Sequence, residues 1–262
     1  QVQRVLRRHA DALDRKDISF ERFLTRVRSE LSAEARVFAR MRVQGYDAAE
    51  PSRASGRAIA EEWRAEDAGS PGHLRPQGGY GALLGWLASR LEGSRVELRL
   101  RSVVREVRWE RGAVEVAYSK AEGGSQKAEE LRVAARRAVV TLPLGVLKAS
   151  PRAAGAVRFT PSLREKRAAL AGLESGAVIK AALLFRAPFW EEVDKARYRE
   201  ASFFHSPGAA FPTFWTAAPE KVPLLIAWAG GPKAARLAKA AVPEIVRQAV
   251  ASLASVFGAP TE

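Results

Sequence analysis

The chain has 262 residues, 47% of them hydrophobic, enough to bury a sizeable core in one large or two small domains. It contains no cysteine and only three scattered histidines, His9, His73 and His205, which excludes disulfides, thiolate metal sites and cysteine-nucleophile chemistry. The formal net charge of +14 is spread out, richest in residues 71–160 with 16 basic and 8 acidic side chains, so it does not form the concentrated patch of a nucleic-acid binder.

No apolar run approaches the roughly 20 residues of a membrane span, and the chain does not open like a signal peptide. The expectation is a soluble, cytoplasmic protein with no metal and no membrane partner. Nucleic acid is the weaker candidate partner, and oligomeric state is not legible.

Residues 1–44 carry apolar side chains at mixed three- and four-residue spacings, among them Val5, Leu6, Leu13, Phe20, Phe23, Leu24, Val27 and Leu31, which predicts helices. Asp17 or Ser19 is placed to cap the helix holding Phe23 and Val27. Gly45 to Pro51 breaks the pattern, and Ser52 is read as the cap of a further helix containing Ile59 and Trp63. Asp67 to Gly79, rich in Gly and Pro, predicts a loop at a lobe boundary. A helix with Leu83, Leu87 and Leu91 on one face follows and ends at Gly93. Gly79, Gly81 and Gly85 do not make a dinucleotide fingerprint, because Leu84 stands where the last glycine is needed and no strand precedes them.

Alternating residues then predict strands at Val96–Leu100, Val103–Trp109 and Val114–Tyr118, with a turn at Gly112 and a second hairpin at Gly123-Gly124-Ser125 returning through Leu131 and Val133. This meander feeds Ala138 to Leu142, a continuously apolar run that suits a strand buried on both faces, stopped by Pro143. Ligands gather beyond the carboxyl ends of such strands, so Thr141, Leu142 and Pro143 are either an ordinary turn or a cofactor contact. Further on come a helix at Ser162–Ala171, strands at Ala177–Phe185, Ala201–Phe204, Phe211–Thr216 and Leu224–Ala229, and a closing helix at Pro243–Phe257.

Lys180 is the only charge in Ala177–Phe185, on the same face as Val178, Ala182 and Leu184. A buried ammonium without a partner is costly, so this lysine either reaches the surface along its stem or serves a site. Trp190, Phe214, Trp215 and Trp228 are candidates either for core packing or for a substrate cavity.

Val139-Val-Thr-Leu-Pro-Leu-Gly-Val-Leu-Lys148 resembles the signature of the flavin-containing amine oxidase family, the monoamine and polyamine oxidases and lysine-specific histone demethylases. Gly78 to Tyr80, Val103 to Trp109, Phe159 to Leu163 and Gly176 to Trp190 resemble further family segments in the same order, over roughly Gly45 to Gly258. The resemblance implies an α+β fold: a helical part of the substrate lobe in residues 1–74, a partial FAD-binding lobe with a β-meander in 75–150, and the sheet and helices of the substrate lobe in 151–262.

It implies FAD as cofactor, with the Val104 backbone on its adenine side, Thr141, Leu142 and Pro143 along it, and Lys180 holding a water against the flavin N5. It also implies an amine substrate, oxidised to an imine by hydride transfer to flavin, which oxygen reoxidises. The family's opening G-x-G-x-x-G unit and closing flavin segment are not matched. The expectation is therefore an internal segment or truncated paralogue that binds FAD weakly or not at all by itself, with the activity belonging to the full-length protein. Two other readings stay open: a non-catalytic lobe with a basic surface for a partner or nucleic acid, and a related flavoprotein oxidase acting on amino acids or another substrate.

Overall fold

The N-terminal apolar spacing is realised as α1 (Val2–Arg8), α2 (Ala10–Arg15), α3 (Phe20–Arg26), α4 (Ala33–Gly45) and α5 (Gly56–Asp67) in a computed structural model that describes residues 1–67, 76, 78–120 and 129–258. Their apolar faces close on one cluster in which Val5, Leu6, Phe20, Phe23, Leu24, Val27 and Val43 are almost fully buried. The caps divide the work differently from the sequence expectation. Ser19 Oγ accepts from the Arg22 N–H and starts α3, while Asp17 reaches α5, where it accepts from the Arg57 N–H at 3.1 Å and the Ser55 hydroxyl at 2.7 Å. Ser55, not Ser52, caps α5, through the Ala58 N–H at 3.0 Å, because a turn at 51–54 delays the helix. Ser52 instead hydrogen-bonds the Glu50 carboxylate.

The chain then builds a second body: α6 (Gly81–Ser89), β1 (Ser102–Glu110), β2 (Ala113–Lys120), β3 (Glu130–Ala135), α7 (Leu144–Leu147), β4 (Arg158–Thr160) and α8 (Arg167–Gly172). Its mixed sheet has the order β3-β2-β1-β4, antiparallel except for the parallel β1–β4 pair. The Gly112 turn joins β1 to β2 with φ +89°, a conformation natural only to glycine. The predicted Gly123–Ser125 turn lies outside the described residues, as do Ser70, Pro71 and Gly72 of the predicted boundary loop.

Three expectations fail in this body. Val96–Leu100 forms no strand, with Leu98 58% and Leu100 74% exposed. Leu91 lies beyond the end of α6, in turns that run on past Gly93. Ala138–Leu142 is no buried strand either: Val139 is 90% exposed, and none of the described strands pairs with the segment. The apolar run is suited to a two-sided ladder, but a ladder requires neighbours and these residues have none in the sheet described.

The last third returns to the first body through β5 (Val178–Leu184), α9 (Val193–Ala196), β6 (Phe203–His205), β7 (Thr213–Thr216), β8 (Leu224–Gly230), α10 (Gly231–Leu237) and α11 (Val242–Phe257). These four strands form an antiparallel sheet in the order β5-β8-β7-β6. Strict alternation gives it one packed face, where Leu183, Phe204, Phe214, Leu225, Ala227 and Ala229 share a cluster with Ala249 and Leu253 of α11. The chain thus divides into two compact units, residues 1–71 with 176–262, and residues 72–175, and the fold is α+β. Residues 151–175, expected with the later sheet, fall in the second unit because β4 adds to β1.

Candidate functional site

Lys180 stands on the other, open face of the antiparallel sheet. In β5 the alternation exposes Val178, Lys180, Ala182 and Leu184 and turns Ile179, Ala181 and Leu183 inward. Register then fixes the neighbours: Lys180 pairs with Trp228, Trp228 with Thr213, and Thr213 with His205, a single row running across all four strands. The next row is Ala182, Ile226, Trp215 and Phe203. Lys180 is the only Lys, Arg, Asp or Glu in these strands, and its Nζ lies 5.9 Å from the centre of the Trp215 ring, within cation–π range.

The aromatic side chains of this face touch one another. Trp215 and Trp228 have centroids 5.6 Å apart, and Trp215 and Phe203 6.3 Å. Trp228 is oriented by its indole N–H, which donates to the Gly45 carbonyl at 2.6 Å, at the end of α4. At the far end of the row the Phe38 ring of α4 meets His205 edge-on at 6.2 Å. From Phe38 to Gly45 a helix rises about 10 Å, the width of the two strand spacings between β8 and β6, so α4 crosses the strands as a wall on this face.

The approach is close enough to dictate sequence. A Cβ on Gly230 would lie 2.5 Å from the Gln44 carbonyl oxygen, and one on Gly176 would lie 1.8 Å from that of Ala48. Desolvation by its neighbours lowers the His205 pKa from its ordinary value although the residue is exposed at the strand end; its Nδ1 lies 3.3 Å from the Thr213 hydroxyl.

Of the four aromatics singled out in the sequence, Trp215 and Trp228 belong to this face. Trp190 and Phe214 belong to the core, 2% and 0% exposed. Phe203, Thr213, His205 and Phe38 complete the face and were missed. Alternation within β6 and β7 carries the signal for the first three, but their alignment with Lys180 requires the register.

The other site residues lie in the second unit. Val104 sits in β1 opposite Tyr118, beside an irregularity in register between Val104 and Glu106. Here β4 pairs only with Glu106, Val107 and Arg108, so the β1 edge at Val104 has no partner strand among the described residues. An open backbone edge beside a bulge is suited to a planar heterocycle's hydrogen bonds, which fits the adenine end of FAD. Glu106 anchors the bulge: it accepts from the Thr160 hydroxyl at 3.0 Å and pairs with Arg108 at 3.2 Å, and the Thr160 bond first, then Arg108, holds its pKa below the usual carboxylate range.

Thr141, Leu142 and Pro143 form extended, unpaired chain leading into α7, with Thr141 exposed and Leu142 partly buried. None of the described strands pairs with Thr141 or Leu142, which leaves room for a cofactor alongside, whereas the Pro143 carbonyl accepts from the Val146 and Leu147 N–H groups at the start of α7. The second unit further contains an open groove of about 1040 Å³ in which Arg105, Lys148, Arg158 and Arg167 alternate with Phe159 and Leu163. Among the described residues no cluster of three or more His, Asp or Glu side chains could hold a metal ion, and no helix is long and apolar enough to cross a membrane.

One unit with an antiparallel sheet bearing an aromatic, lysine-bearing face and another with a mixed sheet and an open β-edge make up an α+β architecture. The sequence matches the flavin containing amine oxidoreductase family over residues 2–262, and the chain belongs to that family. Among solved structures it is similar to wild-type putrescine oxidase bound to putrescine, at 21% identity and TM-score 0.66 over 92% of this chain and 50% of that one. It is also similar to cyclohexylamine oxidase from Brevibacterium oxydans IH-35A, at 18% identity and TM-score 0.63 over 94% and 52%. The chain therefore spans about half the length of these neighbours, and the likeness is one of fold. A search of curated proteins gives no match.

Proposed function

We propose that the protein is an FAD-dependent amine oxidase to which this chain contributes the lysine-bearing sheet face and part of the flavin support. The observation that carries the reading is Lys180: the sole formal charge in four strands, set among Trp228, Trp215 and Ile226 on a face walled by α4, in a chain of the amine oxidoreductase family.

The chemistry FAD supplies when bound is acceptance of hydride from the carbon bearing the amine, giving an imine, with later transfer of both electrons to oxygen. In this proposal the Val104 backbone holds the adenine end, and Thr141, Leu142 and Pro143 run beside the cofactor. In the same proposal Lys180 Nζ, exposed on the open face, would donate a hydrogen bond to a water at the reacting centre. The aromatic side chains orient the substrate's carbon skeleton.

Whole protein mixed with excess FAD and desalted should keep the flavin's visible absorption. A colourless, folded protein would contradict the reading. A second reading, a non-catalytic binding module, is favoured by the groove of Arg105, Lys148, Arg158 and Arg167; it predicts strongly salt-dependent binding of a polyanion with no flavin retained.

A further inference from the structure

We infer that the groove of the second unit is a binding site for a phosphate monoester carrying an alkyl or acyl chain, separate from the flavin contacts. The site goes beyond the oxidase reading and does not depend on it.

Its cations stand on four different elements around the groove: Arg105 in β1, Lys148 at the end of α7, Arg158 in β4 and Arg167 at the start of α8. Among the described residues lining it there is no Asp or Glu. Lys148 Nζ donates to the Leu173 carbonyl at 2.6 Å, which ties the ends of α7 and α8 together and leaves the positive charge uncompensated. Arg158 lies 3.8 Å from Glu106, a carboxylate already held by Thr160 and Arg108. Arg105 and Arg167 are exposed and make no ion pair among the described residues. Like charges gathered around one cavity repel, and a bound dianion relieves that repulsion. Three of these cations are guanidiniums, whose planar forks match the oxygens of a phosphate.

Between the cations lies carbon. Leu147, Phe159, Leu163 and Leu170 reach the groove as partly buried side chains. One wall is firmly held, because β4 is laddered to β1 from Arg158 to Thr160 and the Trp109 indole N–H donates to the Pro161 carbonyl at 2.8 Å. The volume of about 1040 Å³ stands at the upper end of small-molecule sites and has room for a chain as well as a head group. A head group alone would leave the apolar side chains wet, and a neutral chain would desolvate the cations without pairing them. A molecule with both parts matches the whole surface. Val104, Thr141, Leu142 and Pro143, assigned to FAD, do not line it.

The test is calorimetric titration of the whole protein, with and without FAD, by octyl phosphate, butyl phosphate, inorganic phosphate and octyltrimethylammonium below their micelle concentrations. Octyl phosphate should bind about tenfold more tightly than butyl phosphate, the gain from four methylenes half-buried in an open groove, and added salt should weaken it. Inorganic phosphate and the octyl cation should each bind more weakly than butyl phosphate. Arg167→Glu, a change at an exposed side chain, should lower octyl phosphate affinity about tenfold, and Leu163→Gln should shrink the advantage of octyl over butyl. The chain-length series is read on the unaltered protein and decides the matter whether or not either variant folds. Equal affinity for the octyl, butyl and inorganic phosphates, displacement of octyl phosphate by FAD, no binding by the whole protein, or unchanged affinity in a folded Arg167→Glu variant would overturn the inference.

Discussion

At Lys180 the ammonium has the Trp215 ring 5.9 Å away and Trp228 directly across the strand pair, and the side chain is exposed within its own unit. It therefore contributes little to folding, and replacing it isolates chemistry from stability. Lys180→Met should leave the melting temperature and FAD retention near those of the parent while slowing amine turnover by roughly 10²-fold, the scale of a lost proton-positioning group. Stopped-flow and thermal melts check this; a large drop in melting temperature with unchanged turnover would make Lys180 structural. That this residue was unusual could be seen in sequence, because a lone charge in an apolar alternating run is expensive unless used. Its neighbours could not be named, since Thr213 and His205 lie 33 and 25 positions away and only strand register brings them into its row.

Among elements, α4 is held by Ala39 and Val43 in the helical core, and the turn after it by close backbone approach to the sheet. Gly176 and Gly230 let the Gln44, Gly45 and Ala48 carbonyls come within distances no Cβ tolerates, and Trp228 then bonds Gly45. Gly176→Ala should consequently destabilise the first unit by about 1–3 kcal/mol, the usual cost of overpacking, and disturb the Trp228 indole signal. Chemical denaturation with tryptophan fluorescence measures both. An unchanged midpoint would show that the turn at Ala48 yields freely.

Elements with strong alternation or helical spacing of their own were readable: β1 with β2, the four strands β5 to β8, and α11 all fall within a few residues of their predicted spans. Elements were misread where pattern outran partnership. Val96–Leu100 and Ala138–Leu142 have the alternation or apolar density of strands, but no described strand pairs with them. Ser52 failed as a cap for a local reason, a turn that hands the role to Ser55.

For the molecule as a whole, the two units differ in how they are stabilised. Every side chain among the largest fully buried ones, from Phe20 and Phe23 to Phe214 and Leu253, belongs to the unit of residues 1–71 and 176–262. The other unit has no side chain among these and leaves Leu84, Trp86, Leu98, Leu100 and Val139 more than half exposed. Hydrogen exchange should therefore find the amides of β5 and β8 most protected and those of 96–100 and 138–142 among the fastest, and in the whole protein FAD should slow exchange at 138–142. Uniform protection across both units, or no effect of FAD there, would contradict the assignment of that segment to the cofactor.

Whether an amine gives up its electrons to a flavin supported by these residues is tested most directly by anaerobic mixing. With oxygen excluded, a primary monoamine added to the FAD-loaded whole protein should bleach the flavin's visible bands, and admitting oxygen should restore them as hydrogen peroxide forms. A flavin that stays oxidised with every monoamine and diamine tried, in a folded protein that retains it, would contradict the account.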